Sequence, residues 1–136
     1  MSARQTDDLR IVEIYEVIQE TRRRLNELGI SRDQFIDPDT ALARNAVDGI
    51  HSCVYRVAEE ASNLDYATMS QFPEIPWDAV RGMRNRLAHD YRGVDAAFVW
   101  DAAHDDFDEL ERVCISYCEK RGIELEPRVE LDGRGR

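Results

Sequence analysis

No run of apolar residues in this chain approaches the ~18 that a membrane span requires, so no transmembrane segment is expected. The opening residues, Met-Ser-Ala-Arg-Gln-Thr-Asp-Asp, lack the apolar core of a signal peptide. Cysteine is scarce, and three of them give no disulfide framework. A reducing cytoplasm is the expected location. There is no internal repeat and no low-complexity tract. A glycine-rich phosphate loop is missing, as are paired carboxylates at a metal-binding spacing, so neither cofactor nor metal is expected. Positive charge is in deficit as well. A net charge of −10 argues against generic nucleic-acid binding, because the phosphate backbone rewards cations.

What is present fits one soluble domain. The 136 residues suffice for a single core, and the balance of 43% hydrophobic to 34% charged residues is that of a globular chain. The charges are unevenly spread. Arg81, Arg84, Arg86 and Arg92 face one carboxylate, Asp90, over positions 81–92. Asp101, Asp105, Asp106, Asp108, Glu109 and Glu111 form a dense acidic run. Any RNA contact is therefore expected to be local and salt-sensitive, with the acidic face expected to repel RNA or to meet a basic partner.

Apolar spacing predicts helices throughout. Thr6 is the expected N-cap of a first helix with Asp7 and Asp8 in its opening turn; Ile11, Ile14, Tyr15, Ile18, Leu25 and Leu28 form its stripe, and Gly29 ends it. Ser31 to Gln34 predicts a capped short helix. Asp37-Pro38 then predicts the start of a second long helix to about Leu64, and residues 63–76 read as a loop. Asp95 is placed to cap a last long helix over Ala96–Arg121. The domain is expected over residues 1–121, with 122–136 a flexible C-terminal tail. The fold class is all-α, an antiparallel bundle of four to five helices. His51 reads as a structural or surface histidine, His104 beside Asp101, Asp105 and Asp108 as part of a solvated acidic face rather than a metal site, and the Cys114/Cys118 pair as small core residues.

The most informative stretch is Met83-Arg84-Asn85-Arg86-Leu87-Ala88-His89-Asp90-Tyr91. On a helix over 77–91, with Val80 at zero and 100° per residue, Trp77, Met83, Leu87 and Ala88 fall within about 80° of it. Arg84, at about 40°, and Tyr91, at about 20°, lie inside that apolar stripe. A guanidinium there needs a partner, because buried charge is costly. His89 lies near 180°, and Asn85, at i−4, is placed to orient its imidazole. One ideal helix therefore cannot aim Arg84 and His89 at one atom. Either the helix loosens near Gly93, or two chains share one site.

Arg84-Asn85-x-x-Ala88-His89-x-Tyr91 resembles the signature of the HEPN superfamily in the form found in HepT-type toxins. Pro73-Glu74-Ile75-Pro76-Trp77 before it, and Gly93-Val94-Asp95 with Trp100 after it, look like the same family. Ala41-Leu42-Ala43-Arg44 fits the family's second long helix more loosely. The resemblance covers residues 5–120, and positions 73–100 carry most of its specificity.

The resemblance implies a HEPN-type bundle and a metal-independent endoribonuclease. Such an enzyme uses the RNA 2′-hydroxyl as nucleophile and leaves a 2′,3′-cyclic phosphate and a 5′-hydroxyl. The side chains suit that chemistry. Histidine titrates near neutrality and can act as general acid or base, the role given to His89. Arginine keeps its charge and matches phosphoryl oxygens with parallel donors, the role given to Arg84. Asn85 is given the role of orienting His89 or the phosphate, and Arg81, Arg86 and Arg92 are candidate RNA contacts. The resemblance further implies a homodimer with paired motifs across one groove. It also implies an MntA-like nucleotidyltransferase antitoxin that transfers AMP onto Tyr91. The alternative is a non-catalytic nucleotide- or RNA-binding module, or an adaptor bundle that works through its acidic face.

Overall fold

The computed structural model describes residues 3–89 and 95–133, with side chains from residue 6 onward. Among these residues the chain forms α1 (Ala3–Leu28), α2 (Arg32–Ile36), α3 (Ala41–Ser62), α4 (Tyr66–Ser70), α5 (Trp77–His89), α6 (Ala96–Asp101) and α7 (Phe107–Arg121), with a π turn over Ala102–Asp106. No strand occurs among them, and the fold is the all-α bundle expected from sequence. α1 packs on α3 and α7, and α3 carries α5 on its far side.

The core follows the expected stripes. Ile11, Ile14, Tyr15 and Ile18 of α1 are buried against Ile50, Val54 and Val57 of α3 and Phe107, Leu110 and Cys114 after the π turn. Gly29 ends α1 at φ +60°, a left-handed conformation that glycine adopts without strain, and donates to the Leu25 carbonyl at 3.0 Å. Ser31 and Gln34 form the reciprocal cap of α2.

Several boundaries depart from the sequence reading. α1 begins at Ala3, so Thr6 lies inside the helix rather than capping it. Asp7 turns away from its own helix end and is buried. Its carboxylate accepts the Asp65 amide at 3.2 Å and the Thr68 hydroxyl at 2.6 Å. With Asp65 as N-cap, this anchors α4 inside the stretch read as a loop. α3 is capped by Thr40, not by Asp37-Pro38, because the Thr40 hydroxyl accepts the Ala43 amide at 3.0 Å. Trp77 packs as expected, its indole N–H shared by the Met69 and Phe72 carbonyls.

Asp95 caps α6 as expected, but the path from Ala96 to Arg121 is not uniform. The Phe107 amide donates to the Ala102 carbonyl, five residues back, which widens the helix by one residue at that turn. Beyond Gly122 the chain, read from sequence as a flexible tail, lies extended along α1. Tyr15 donates its hydroxyl to the Glu126 carbonyl at 2.6 Å. The Val129 amide donates to Gln19 Oε1 at 2.7 Å, and Asn26 bonds both the Glu130 carbonyl and the Asp132 amide at 2.8 Å. Leu131 is buried at the end of this strap.

The strap closes over a buried polar cluster. Arg22 is fully buried and bonds Glu111 at 2.5 Å and Asp108 at 2.9 Å. Gln19 adds a bond to Glu111 at 2.7 Å, and Arg128 of the strap bonds the carboxylate's other oxygen at 2.9 Å. Both buried charges are thus compensated, as burial demands.

Candidate active site

α5 presents three different faces. Val80, Met83 and Leu87 are buried in the core. Arg84 emerges beside them toward α3 and is about one-third exposed, at 37%. His89 is exposed at the last described residue of the helix. Ala88, expected at the edge of the apolar stripe, is exposed too.

The partner that Arg84 requires is Glu59 of α3. The guanidinium Nε–H donates to Glu59 Oε2 at 2.6 Å, and Nη1 donates to the Asn85 amide oxygen at 2.9 Å. Glu59 is itself held by α3 neighbours one turn away on each side. The Tyr55 hydroxyl donates to Oε2 at 3.3 Å and the Asn63 amide to Oε1 at 3.2 Å. The hydrogen bond from Arg84 holds the Glu59 carboxyl below the ordinary carboxylate range, against the opposing effect of desolvation. The same pairing raises the already high guanidinium value, so the cation is permanent.

These contacts use the Nε and Nη1 edges of Arg84. Among the described residues Arg84 Nη2 makes no hydrogen bond, so this nitrogen of an anchored guanidinium is left for an anion. Asn85 directs its carbonyl oxygen to Arg84, so within this chain its support goes to the arginine. Arg84 and His89 are five residues apart, about 140° on a helix, and diverge on α5. The remaining arginines have separate engagements. Arg81 pairs with Asp78 at 3.7 Å, and the Arg86 guanidinium lies 5.1 Å from the centre of the Phe98 ring. Tyr91 and Arg92 lie outside the described residues.

Sequence reasoning asked for a partner to Arg84 but did not find Glu59. The signal was there: Tyr55, Glu59 and Asn63 recur every four residues and so share one face of α3. His104, weighed from sequence as a metal ligand, has Nδ1 at 2.8 Å from the Trp100 carbonyl and stacks on the Trp100 ring. No group of three or more metal-ligating side chains is assembled among the described residues.

An all-α bundle with Arg-Asn-x-x-Ala-His on its exposed helix is the architecture of a HEPN domain. Residues 14–116 match the family described as ribonuclease HepT-like, and the chain belongs to that family. A candidate RNase of Caldanaerobacter subterraneus subsp. tengcongensis is 30% identical over 84 residues, covering 62% of this chain and 70% of the relative. A candidate RNase of Methanocaldococcus jannaschii is 30% identical over 60 residues, covering 44% of this chain and 52% of its own length. A candidate ribonuclease HepT of Thermococcus cleftensis is 33% identical over 55 residues, 40% of this chain and 50% of that protein. The matched region thus spans about half the length of the last two relatives. No solved structure matches the chain.

Proposed function

We propose that this chain is the toxin of a toxin–antitoxin pair, a metal-independent endoribonuclease acting in the cytoplasm as a homodimer. The observation that carries the reading is the Arg84 guanidinium, fixed by Glu59 and Asn85 with Nη2 uncommitted among the described residues. That is a preorganised phosphate site, where a fixed donor costs no reorganisation when charge builds on the phosphoryl oxygens. His89, exposed on the same helix, supplies the proton transfers, taking the 2′-hydroxyl proton or giving one to the departing 5′-oxygen. Because the two side chains diverge on one helix, a two-fold axis beside α5 brings Arg84 of one copy toward His89 of the other. A partner nucleotidyltransferase silences the groove by placing AMP on Tyr91, which adds bulk and negative charge two residues from His89.

The test is cleavage of a labelled single-stranded RNA by the purified chain in EDTA. The expected products carry cyclic phosphate and 5′-hydroxyl ends, and both are expected to vanish in Arg84→Ala and His89→Ala. Cleavage that persists in both variants overturns the assignment. An intact mass raised by whole AMP units after co-expression with the nucleotidyltransferase, and unchanged in Tyr91→Phe, is expected for the switch. No increment with an active transferase removes it.

One observation favours a second reading. The ion pair with Glu59 neutralises Arg84 in a chain of net charge −10, as suits a non-catalytic binding module or adaptor. RNA binding without cleavage under any condition would support that reading.

A further inference from the structure

The flank of α5 opposite Glu59 carries a feature that the cleavage chemistry does not use. Between the first half of α5 and the α6–α7 helix runs an apolar groove of about 190 Å³, whose lining includes Val80, Met83, Phe98 and Leu110 with Asp106 at its rim. Its volume is below the ~300–1,000 Å³ of pockets for drug-sized ligands and suits a single ring system. Phe98 is one of the large apolar side chains left exposed, at 37%. Arg86 lies over its ring at 5.1 Å and does not line the groove itself.

We propose that this groove receives one nucleobase of the RNA beside the scissile phosphate, stacked on Phe98 and favouring guanine; the inference rests on the ribonuclease reading above. Three observations carry it. The first is position. Arg86 and His89 are i, i+3 neighbours on α5, so a nucleotide whose phosphate meets His89 has its base within reach of the Arg86–Phe98 pair. The second is chemistry. Splayed single-stranded bases are held by aromatic rings and guanidinium planes, and here the two are already together, with the cation able to meet the backbone as well. The third is the rim. Asp106 makes no hydrogen bond or ion pair among the described residues, whereas Glu109, also on the rim, is paired with Arg112 at 2.6 Å. A carboxylate there accepts two parallel N–H donors, and guanine alone of the four bases offers them, from N1 and its amino group. Desolvation, then Asp105 and Asp101, holds the Asp106 carboxyl above its ordinary value, a strain that such donors relieve.

The experiment reads the cleavage sites of the full chain on a randomised single-stranded RNA pool by sequencing. Guanine is expected beside the scissile phosphate. Phe98→Ala is expected to flatten that preference and to raise KM for a guanine-bearing hexanucleotide by roughly 5- to 150-fold, the range set by base stacking, with kcat moving less. Phe98→Tyr is expected to keep the preference, and Asp106→Asn to lose guanine selectivity alone. An unchanged preference in Phe98→Ala overturns the proposal. So does sedimentation in which Phe98→Ala separates a wild-type dimer into monomers, which assigns the groove to a second copy. If the wild type cuts no RNA, the ribonuclease reading has failed and binding decides the groove. A labelled guanine-bearing hexanucleotide that binds more tightly than its abasic counterpart, by a margin lost in Phe98→Ala, upholds it; equal binding overturns it.

Discussion

The carboxylate of Glu59 meets the side of the Arg84 guanidinium, at Nε, and with Asn85 on Nη1 leaves Nη2 uncovered among the described residues. The two residues sit on different helices, so the α3–α5 packing itself sets where the arginine points. Glu59 is thereby a positioning residue. Glu59→Gln is expected to lower kcat on RNA about tenfold with KM less affected, against a loss of ~10²–10³ in Arg84→Ala, the scale of a removed transition-state donor. Thermal stability should change little, since exposed ion pairs contribute at most ~1 kcal/mol. Equal kcat in Glu59→Gln and wild type would remove the positioning role.

The pH dependence of that clamp has a definite sign. The folded carboxyl of Glu59 is lowered from its usual 4.5, so the unfolded chain takes up a proton first as pH falls. The stabilisation is complete above about pH 4.5 and is lost as pH drops below it through the folded value. Chemical shifts of the Glu59 carboxyl carbon, followed against pH, are expected to titrate below the usual range in wild type and to return toward it in Arg84→Ala.

His51 gives an earlier acid response. Burial, partly opposed by Asp48, lowers its imidazole from the ordinary 6.5, and its ring stacks on Phe35 at 5.5 Å with Nε2 buried and unbonded. The neutral form is therefore the folded one. Stability is expected to fall as pH drops from 6.5 toward the lowered folded value, because the unfolded chain binds the proton first. Urea denaturation of His51→Leu should flatten that slope; an unchanged slope would place the acid sensitivity elsewhere.

Glu111 is the stability test. It is 2% exposed and bonded by Arg22, Gln19 and Arg128. Glu111→Ala leaves the buried Arg22 charge without its nearest partner, at an expected ~3–5 kcal/mol. The double variant Arg22→Met/Glu111→Leu is expected to recover most of that loss, because a packed apolar pair substitutes well for a buried ion pair. A double variant as unstable as the single would show that the charges contribute more than compensation.

Truncation after Arg121 should destabilise the bundle although it removes no helix. It takes away Leu131, the Arg128 bond to Glu111 and the hydrogen bonds to Tyr15, Gln19 and Asn26. A loss of ~2 kcal/mol or more is expected, given the named mechanisms. Thermal melts of the chain ending at 121 and of the full chain measure it, and coincident melts would make the strap incidental.

Much of this arrangement is readable from sequence because it depends on local rules. The stripe of α1, the stop at Gly29, the Ser31–Gln34 cap and the Asp95 cap each follow from neighbours within a few positions. What escapes reading is non-local. Asp7 looks like a first-turn acid until Asp65 arrives 58 residues later to use it. The strap was legible in part. Ile123, Leu125, Val129 and Leu131 alternate with Glu124, Glu126, Arg128 and Glu130, the period of an extended chain with one covered face. That face is covered by a helix rather than by a sheet, which no propensity encodes. In the site, the need for an Arg84 partner was legible, and its identity depended on how α3 and α5 pack.

The π turn at Ala102–Asp106 also sets the phase of the helix that contains it. Nine residues separate Phe98 from Phe107, about 900° of uninterrupted α-helix, which would put the two rings on opposite sides. One additional residue wound into the turn absorbs about 100° of that rotation and leaves the rings some 80° apart. Both then face α5 and line one groove. Deleting one residue within this turn would leave eight α-helical residues between the rings, again about 80° apart, so the groove wall would persist as a continuous α-helix. Rewinding the turn as α-helix with all its residues kept would instead rotate α6 against α7 and divide the wall into two surfaces that no longer meet.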